Sequence, residues 1–203
     1  MSTGSQVSVL IVDDQPIIRS ALKMSLTELD HINIVGAVGD GRSAIKEAAR
    51  LCPHVILMDV GLPGMDGIQA SLTIKQELPD TRIIIFTSRD CADDISTALG
   101  AGADGYCLKH ASTKRLACAI DSVIRGELWI DPELAETAVR RQKSTTDEHG
   151  KLEEFDSTET KILALIAAGM EVTEIAAELK MTSQAVSATL RQIIIRHSQD
   201  FLS

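Results

Sequence analysis

The hydrophobic residues of this chain form short apolar runs that alternate with longer amphipathic segments. Five runs have the length of β-strands, and they cover residues 7–12, 32–38, 55–58, 82–86 and 106–109. Each is followed by a segment whose apolar residues recur with helical spacing. Strands and helices that alternate in this way predict an α/β domain with a five-stranded parallel sheet and right-handed crossovers.

After about Gly126 the pattern is helical only. Asp131 and Pro132 are typical of a helix start, so a helix is predicted from Pro132 to about Gln142, followed by a polar, turn-rich segment at 143–150. Three more helices are predicted at about 157–168, 173–180 and 183–197. The short turn between the last two predicts a helix-turn-helix. The chain thus divides into a first domain at 1–126, a linker with a helix at 127–150, and a small all-α domain at 151–203.

Composition narrows the function classes without choosing one. The 203 residues are 44% hydrophobic and 24% charged, which is ordinary for a globular protein with a real core. Aromatic residues make up 2% and the net charge is −9, so neither base stacking nor a general attraction to nucleic acid is expected. The cysteines form no C-x-x-C pair, residues 1–6 do not have the pattern of a signal peptide, and no apolar run approaches the ~20 residues of a membrane span. The chain is therefore predicted to be cytoplasmic and away from membranes.

One carboxylate, Asp59, ends an apolar run and opens a loop rich in glycine and proline. Three other predicted strands also end in polar residues, which are Asp13 with Asp14, Thr87, and Lys109. The ends of parallel strands share one edge of the sheet, where open α/β sheets place their ligands. Crowded carboxylates favour a divalent cation such as Mg²⁺. An aspartate beside that cation can attack a phosphoryl group, with the lysine and the hydroxyl stabilising its oxygens.

These residues resemble the receiver domain of two-component response regulators over about residues 7–126. The motifs that carry the resemblance are Asp13-Asp14, Met58-Asp59-x-x-Leu-Pro-Gly-Met-Asp-Gly67, Thr87-Ser88 and Gly102-Ala-Asp-Gly-Tyr-x-Leu-Lys109. The resemblance implies a flavodoxin-like, doubly wound fold in which a sensor histidine kinase phosphorylates Asp59. It implies that Mg²⁺ is held by Asp13, Asp14, Asp59 and the Gly61 carbonyl. It also implies that Lys109 pairs with the phosphoryl group and that Thr87 and Tyr106 form the switch.

Three residues near the predicted site bear on its chemistry, because they stand at positions that vary within the family or that distinguish it from a family of phosphatases. His110 follows the lysine where the family usually has proline, and Gly61 and Arg89 stand where it tunes the rate of dephosphorylation. A Mg²⁺-dependent phosphatase of the haloacid dehalogenase type also uses a strand-end Asp, Thr and Lys. Such enzymes carry a second carboxylate two residues after the nucleophile, which is Gly61 here. We therefore predict a phosphoacceptor and not an enzyme, with at most self-phosphorylation and autodephosphorylation chemistry.

The segment after residue 150 resembles the LuxR-type helix-turn-helix domain, which with the receiver gives the NarL/FixJ architecture. The apolar framework is kept, but Ala185, Ser187 and Thr189 replace residues that the family usually has as Thr, Lys and His. The segment 151–203 carries five Lys and Arg against eight Asp and Glu, a balance of −3, whereas a DNA-binding module is expected to show a basic face. The remaining candidate DNA contacts are Lys180, Ser183, Gln184, Ser187, Arg191 and Arg196.

Two functions follow from this combination. The first is a transcription regulator that is phosphorylated, forms a homodimer and binds DNA, so that two half-sites offset weak single contacts. The alternative is a signalling adaptor whose degenerate helix-turn-helix binds protein instead of DNA.

Overall fold

The computed structural model describes residues 6–88, 92–144 and 155–196. In its first part strands and helices alternate as β1 (Val7–Val12), α1 (Pro16–Thr27), β2 (Ile32–Val38), α2 (Gly41–Leu51), β3 (Val55–Met58), α3 (Gly67–Glu77), β4 (Arg82–Thr87), α4 (Ala92–Gly100), β5 (Gly105–Leu108) and α5 (Thr113–Ile124). There follow β6 (Trp129–Ile130), α6 (Pro132–Ser144), α7 (Ser157–Ala167), α8 (Val172–Leu179) and α9 (Ser183–Arg196).

The sheet is parallel and, within the described residues, has six strands in the order β2-β1-β3-β4-β5-β6. The predicted parallel α/β architecture is confirmed, but the predicted count of five strands is wrong. The sixth strand lies in the segment assigned to the linker, where Trp129 pairs with Gly105 and Ile130 pairs with Tyr106. Two residues are too few to show a strand periodicity, so the sequence pattern could not reveal it.

The central strands are buried on both faces, as continuous apolar runs predict. In β3, Ile56 and Met58 point into one hydrophobic cluster and Val55 and Leu57 into the other. Helices α1 and α5 cover the second cluster, while α2, α3 and α4 cover the first. This double layer of helices leaves the carboxyl edge of the sheet as the place where strand-end side chains can meet a ligand.

The helical domain continues the first of these cores. Buried residues of α6, α7, α8 and α9 belong to the same hydrophobic cluster as the residues under α4, and α9 packs against α4. Helix α7 begins at a capping box. The Asp156 carboxylate accepts from the amide of Glu159 at 2.8 Å, and the Glu159 carboxylate accepts from the amide of Asp156 at 2.9 Å.

Helices α8 and α9 are joined by three residues, which confirms the predicted helix-turn-helix. Lys180 ends α8 in the left-handed conformation, with φ of 56°. The predicted end of α9 at 197 and the linker residues 145–150 lie outside the described part of the chain. Among the described helices, none is both long enough and apolar enough to cross a membrane.

Candidate phosphoryl-acceptor site

A lysine ammonium bridges two buried carboxylates at the carboxyl edge of the sheet. The Nζ atom of Lys109 lies 2.6 Å from Oδ2 of Asp13 and 2.9 Å from Oδ2 of Asp59. The exposed fraction is 1% for Asp13 and 5% for Asp59. Because a buried carboxylate without a partner is costly, this shared cation is what allows two of them to stand side by side.

The backbone ladder brings these three strand ends together. The amide of Asp13 donates to Val38 at 3.1 Å and the amide of Asp59 donates to Val12 at 2.9 Å. On the other side, the amide of Lys109 donates to Thr87 at 2.8 Å. Each bond extends a strand pair by one residue beyond the sheet, so the side chains leave neighbouring strands at the same height.

The acidic residues are spaced for a metal ion. Asp13, Asp14 and Asp59 each offer a carboxylate oxygen, and these oxygens lie within 4.8 Å of one another. Asp14 is exposed, which opens the cluster to solvent. Gly61 is exposed beside it, where an added Cβ would lie 3.9 Å from Oδ2 of Asp59. An all-oxygen donor set with room for water fits a small hard cation such as Mg²⁺.

The charge of Lys109 is held by its surroundings. Burial lowers the pKa of this lysine, but hydrogen bonds to Asp13 and Asp59 and the negative charge of both carboxylates outweigh burial, so its pKa lies above the ordinary value. Lys109 therefore stays protonated at neutral pH. A protonated lysine in contact with Asp59 is placed to pair with negative charge added to that carboxylate.

The loop after Asp59 contains a glycine whose importance the sequence pattern did not reveal. A Cβ at Gly67 would lie 1.8 Å from the carbonyl oxygen of Asp59, far inside any possible contact. The amide of Gly67 also donates to Val60 at 3.1 Å, and the carboxylate of Asp66 caps α3 on the amide of Gln69 at 2.8 Å. Gly67 thus lets α3 begin directly against the backbone of Asp59. The sequence motif after Asp59 includes Gly67 but does not show why a glycine is required there.

The two predicted switch residues lie inside the protein. Thr87 ends β4 and is 2% exposed, while Tyr106 lies in β5 and is fully buried in the first hydrophobic cluster. Tyr106 lies within β5, and Lys109 is the first residue after the end of the same strand. Arg89 lies outside the described residues.

The candidate DNA contacts divide into two groups. Ser187 accepts at Oγ from the amide of Leu128 at 3.1 Å. Arg191 donates to the carbonyl oxygens of Leu99 at 3.1 Å and Ala103 at 3.2 Å. Of the side chains that the sequence assigns to DNA at these two positions, Arg191 therefore contacts the receiver and Ser187 contacts the segment that leads into β6.

The other four candidates lie elsewhere on the helical domain. Arg196 forms an ion pair with Glu159 inside that domain. Lys180 and Gln184 are exposed and Ser183 is half-buried. Lys180 is thus the one basic candidate that is exposed and forms no ion pair with another residue that the structure describes.

Known proteins share this architecture. The response regulator receiver domain family matches residues 9–121, more than half of the chain. The response regulator protein VraR of Staphylococcus aureus is 34% identical over 188 residues, which cover 93% of this chain and 88% of that protein.

Solved structures of response regulators are also similar to this chain. A two-component response regulator of the LuxR family from Aurantimonas sp. SI85-9A1 superposes with a TM-score of 0.64 at 28% identity, over 68% of this chain and 99% of that one. The RcsB response regulator of Salmonella typhimurium superposes with a TM-score of 0.61 at 26% identity, over 95% of this chain and 92% of its own. Sequence and fold agree that the chain belongs to the two-component response regulators of the LuxR family.

Proposed function

We propose that a sensor histidine kinase phosphorylates Asp59 of this response regulator in the cytoplasm, with Mg²⁺ as cofactor, and that the phosphorylated protein dimerises and binds DNA to regulate transcription. The observation that carries the proposal is the bridge from Lys109 to Asp13 and Asp59, at 2.6 and 2.9 Å. It supports the proposal because one cluster contains the carboxylate assigned as nucleophile, a lysine that can pair with the phosphoryl group and carboxylates suited to a cation.

The chemistry assigned to these residues is a phosphoryl transfer. One carboxylate oxygen of Asp59 attacks phosphorus, the new O–P bond forms as the bond to the donor nitrogen breaks, and the donor imidazole leaves. Asp13, Asp14, Asp59 and the Gly61 carbonyl would hold Mg²⁺, which supplies charge stabilisation on the phosphoryl oxygens when bound. Lys109 keeps its contact with Asp13 and pairs with the new negative charge.

The kinase has an apolar surface available beside this pocket. The amide of Gln15, at the start of α1, donates to Oδ1 of Asp13 at 2.8 Å, so α1 leaves directly from the site. Two large side chains on this helix, Ile17 and Met24, are 75% and 73% exposed. Exposed apolar residues of this size, on a helix that begins at the site, are suited to a partner that must deliver a phosphoryl group there.

The first test of the proposal is phosphoryl uptake. The protein is incubated with acetyl phosphate and Mg²⁺ and its intact mass is measured, then measured again with the metal removed by chelation. We expect a gain of one phosphoryl group that depends on the metal, because three carboxylates repel an anionic donor in its absence. An unchanged mass in the presence of Mg²⁺ would contradict the assignment of the receiver as active.

We propose that α9, the helix that would contact DNA, is blocked from DNA in the arrangement described. Arg191 of α9 contacts the receiver at Leu99 and Ala103, and Ser187 contacts Leu128, which precedes β6. A side chain engaged in these contacts cannot reach DNA at the same time. Release of α9 from α4 is therefore the step that phosphorylation has to bring about in this proposal.

A protein-binding adaptor is the second candidate, and the charge of the helical domain favours it. Residues 151–203 carry five basic and eight acidic residues, and Glu174 and Glu178 are exposed on α8. In a helix-turn-helix the first helix crosses the DNA backbone, where carboxylates repel phosphates. The acidic α8 would suit a partner with a basic surface.

Salt dependence of DNA retention separates the two candidates. After acetyl phosphate treatment, the logarithm of the DNA-binding constant of a DNA regulator should fall linearly with the logarithm of the salt concentration. The expected slope is about −0.9 for each phosphate contact. Arg191→Ala should weaken binding and reduce that slope by about 1, because it removes one contact. Arg50→Ala is the matched control, since Arg50 lies on α2 and pairs with Glu47. If no DNA fragment is retarded even at low salt, the adaptor is supported.

A further inference from the structure

The first turn of α6 holds the residues on both sides of Lys109. On one side, the amide of Leu108 donates to Oδ2 of Asp131 at 3.3 Å. On the other side, Nε2 of His110 lies 2.7 Å from Oε2 of Glu133. The beginning of α6 thus contacts the residue before Lys109 and the residue after it.

An arginine of α5 completes this cluster. The NH1 atom of Arg115 lies 3.2 Å from Oδ1 of Asp131 and 2.8 Å from Oε1 of Glu133. Asp131 is fully buried, and its Oδ1 also accepts from the amide of Glu133 at 3.2 Å, which closes the first turn of α6. Hydrogen bonds from His110 and Arg115 lower the pKa of Glu133. This carboxylate therefore stays ionised at neutral pH and keeps both partners.

Helix α6 connects this cluster to the helical domain. It packs against α7. The apolar face of α6, formed by Leu134, Ala135 and Ala138, is buried in the same hydrophobic cluster as Ile162 and Leu163 of α7. Since packed interiors transmit small shifts between their elements, a movement of the first turn of α6 is felt at α7.

We propose that the cluster of His110, Arg115, Asp131 and Glu133 is a mechanical link that passes the position of Lys109 through α6 to the effector helices. The inference rests on the proposed function, in which Lys109 pairs with a phosphoryl group on Asp59, and adds that this pairing displaces the end of β5. When Lys109 moves, Leu108 and His110 move with it, and the bonds from Asp131 and Glu133 carry the shift into α6. The four residues act as positioning residues and take no part in the phosphoryl transfer.

Hydrogen exchange of the full chain measures this link directly. Amide exchange in α6 and α7 is followed by mass spectrometry with and without acetyl phosphate and Mg²⁺, and the intact mass of each sample reports phosphoryl uptake. In the wild-type protein, uptake should accelerate exchange in both helices by roughly two- to fivefold, the range that corresponds to loosening one exposed ion pair.

Two variants remove the contact between His110 and Glu133 from opposite ends, while the bond from Leu108 to Asp131 remains. Glu133→Ala removes it from α6, and His110→Ala removes it from the receiver without changing α6. Both should still gain a phosphoryl group, but uptake should then change exchange in α6 and α7 by less than about twofold. Glu136→Ala is the matched control, because Glu136 pairs with Arg140 within α6 at 2.5 Å, and it should respond as the wild type does.

The outcomes separate the link from simpler possibilities. If the cluster only anchors α6, Glu133→Ala will accelerate exchange in both states and leave the response to uptake intact, which overturns the inference. Phosphoryl uptake by the wild-type protein with unchanged exchange in α6 also overturns it, while the phosphoacceptor stands. No uptake by the wild-type protein is a failure of the proposed function and is seen in the mass alone.

Discussion

The Asp59→Asn variant is expected to take up no phosphoryl group from acetyl phosphate and Mg²⁺, with a mass gain below detection. The uncharged amide oxygen is a far weaker nucleophile than the carboxylate, and the acidic pocket loses one of its three charges. The rest of the site should survive, because Lys109 keeps its contact with Asp13 at 2.6 Å. Intact mass measures the loss, and a thermal melt verifies that the variant is folded.

The matched control for this experiment lies in the same loop. Asp66 is exposed and caps α3 through the amide of Gln69 at 2.8 Å, a role that asparagine fills equally well. Asp66→Asn should therefore take up as much phosphoryl group as the wild-type protein. A mass gain that persists in Asp59→Asn would move the acceptor to another carboxylate, with Asp13 and Asp14 the first to examine.

Gly67→Ala is expected to destabilise the protein by about 3 kcal/mol or more. The new Cβ would lie 1.8 Å from the carbonyl oxygen of Asp59 and 2.8 Å from its carbonyl carbon. Both are backbone atoms, so α3 or the end of β3 has to move, and the amide of Gly67 then loses its bond to Val60. Urea denaturation followed by circular dichroism gives the free energy of unfolding.

A second glycine is the control for whether any added methyl group would lower the free energy of unfolding. Gly100 ends α4, and a Cβ there meets nothing within 4 Å. Gly100→Ala should leave stability unchanged or raise it by up to about 1 kcal/mol, because alanine restricts the unfolded chain. Equal free energies of unfolding for Gly67→Ala and the wild-type protein would contradict the close contact described at Asp59.

The carboxyl-edge site was accessible to sequence reasoning because its members follow apolar runs. Asp59 ends a strand, Lys109 ends another, and a parallel sheet brings such positions to one edge without further information. The short strand β6 was not accessible, because two residues carry no periodicity and Trp129 could equally belong to a loop. The position of Gly67 in the motif was visible, but the contact that requires glycine there depends on the path of the backbone.

The relation between the two domains was beyond the sequence pattern. Arg191 and Ser187 lie on the second helix of a helix-turn-helix, so a local reading assigns them to DNA. In the structure they bond to backbone groups, the carbonyl oxygens of Leu99 and Ala103 and the amide of Leu128. Every residue has such a carbonyl and almost every residue such an amide, so these contacts leave no mark in the residue types. Glu133 was likewise invisible as a partner of His110, because the two are brought together by the pairing of β5 with β6.

The hydrogen bonds of Arg191 to the end of α4 have a thermodynamic consequence. If the same guanidinium serves DNA in the released state, docking to the receiver and binding to DNA become competing equilibria of one side chain. The apparent affinity for DNA is then the intrinsic affinity multiplied by the fraction of undocked molecules. Linkage requires the converse with equal strength, so a bound operator would favour the undocked receiver and, with it, retention of the phosphoryl group.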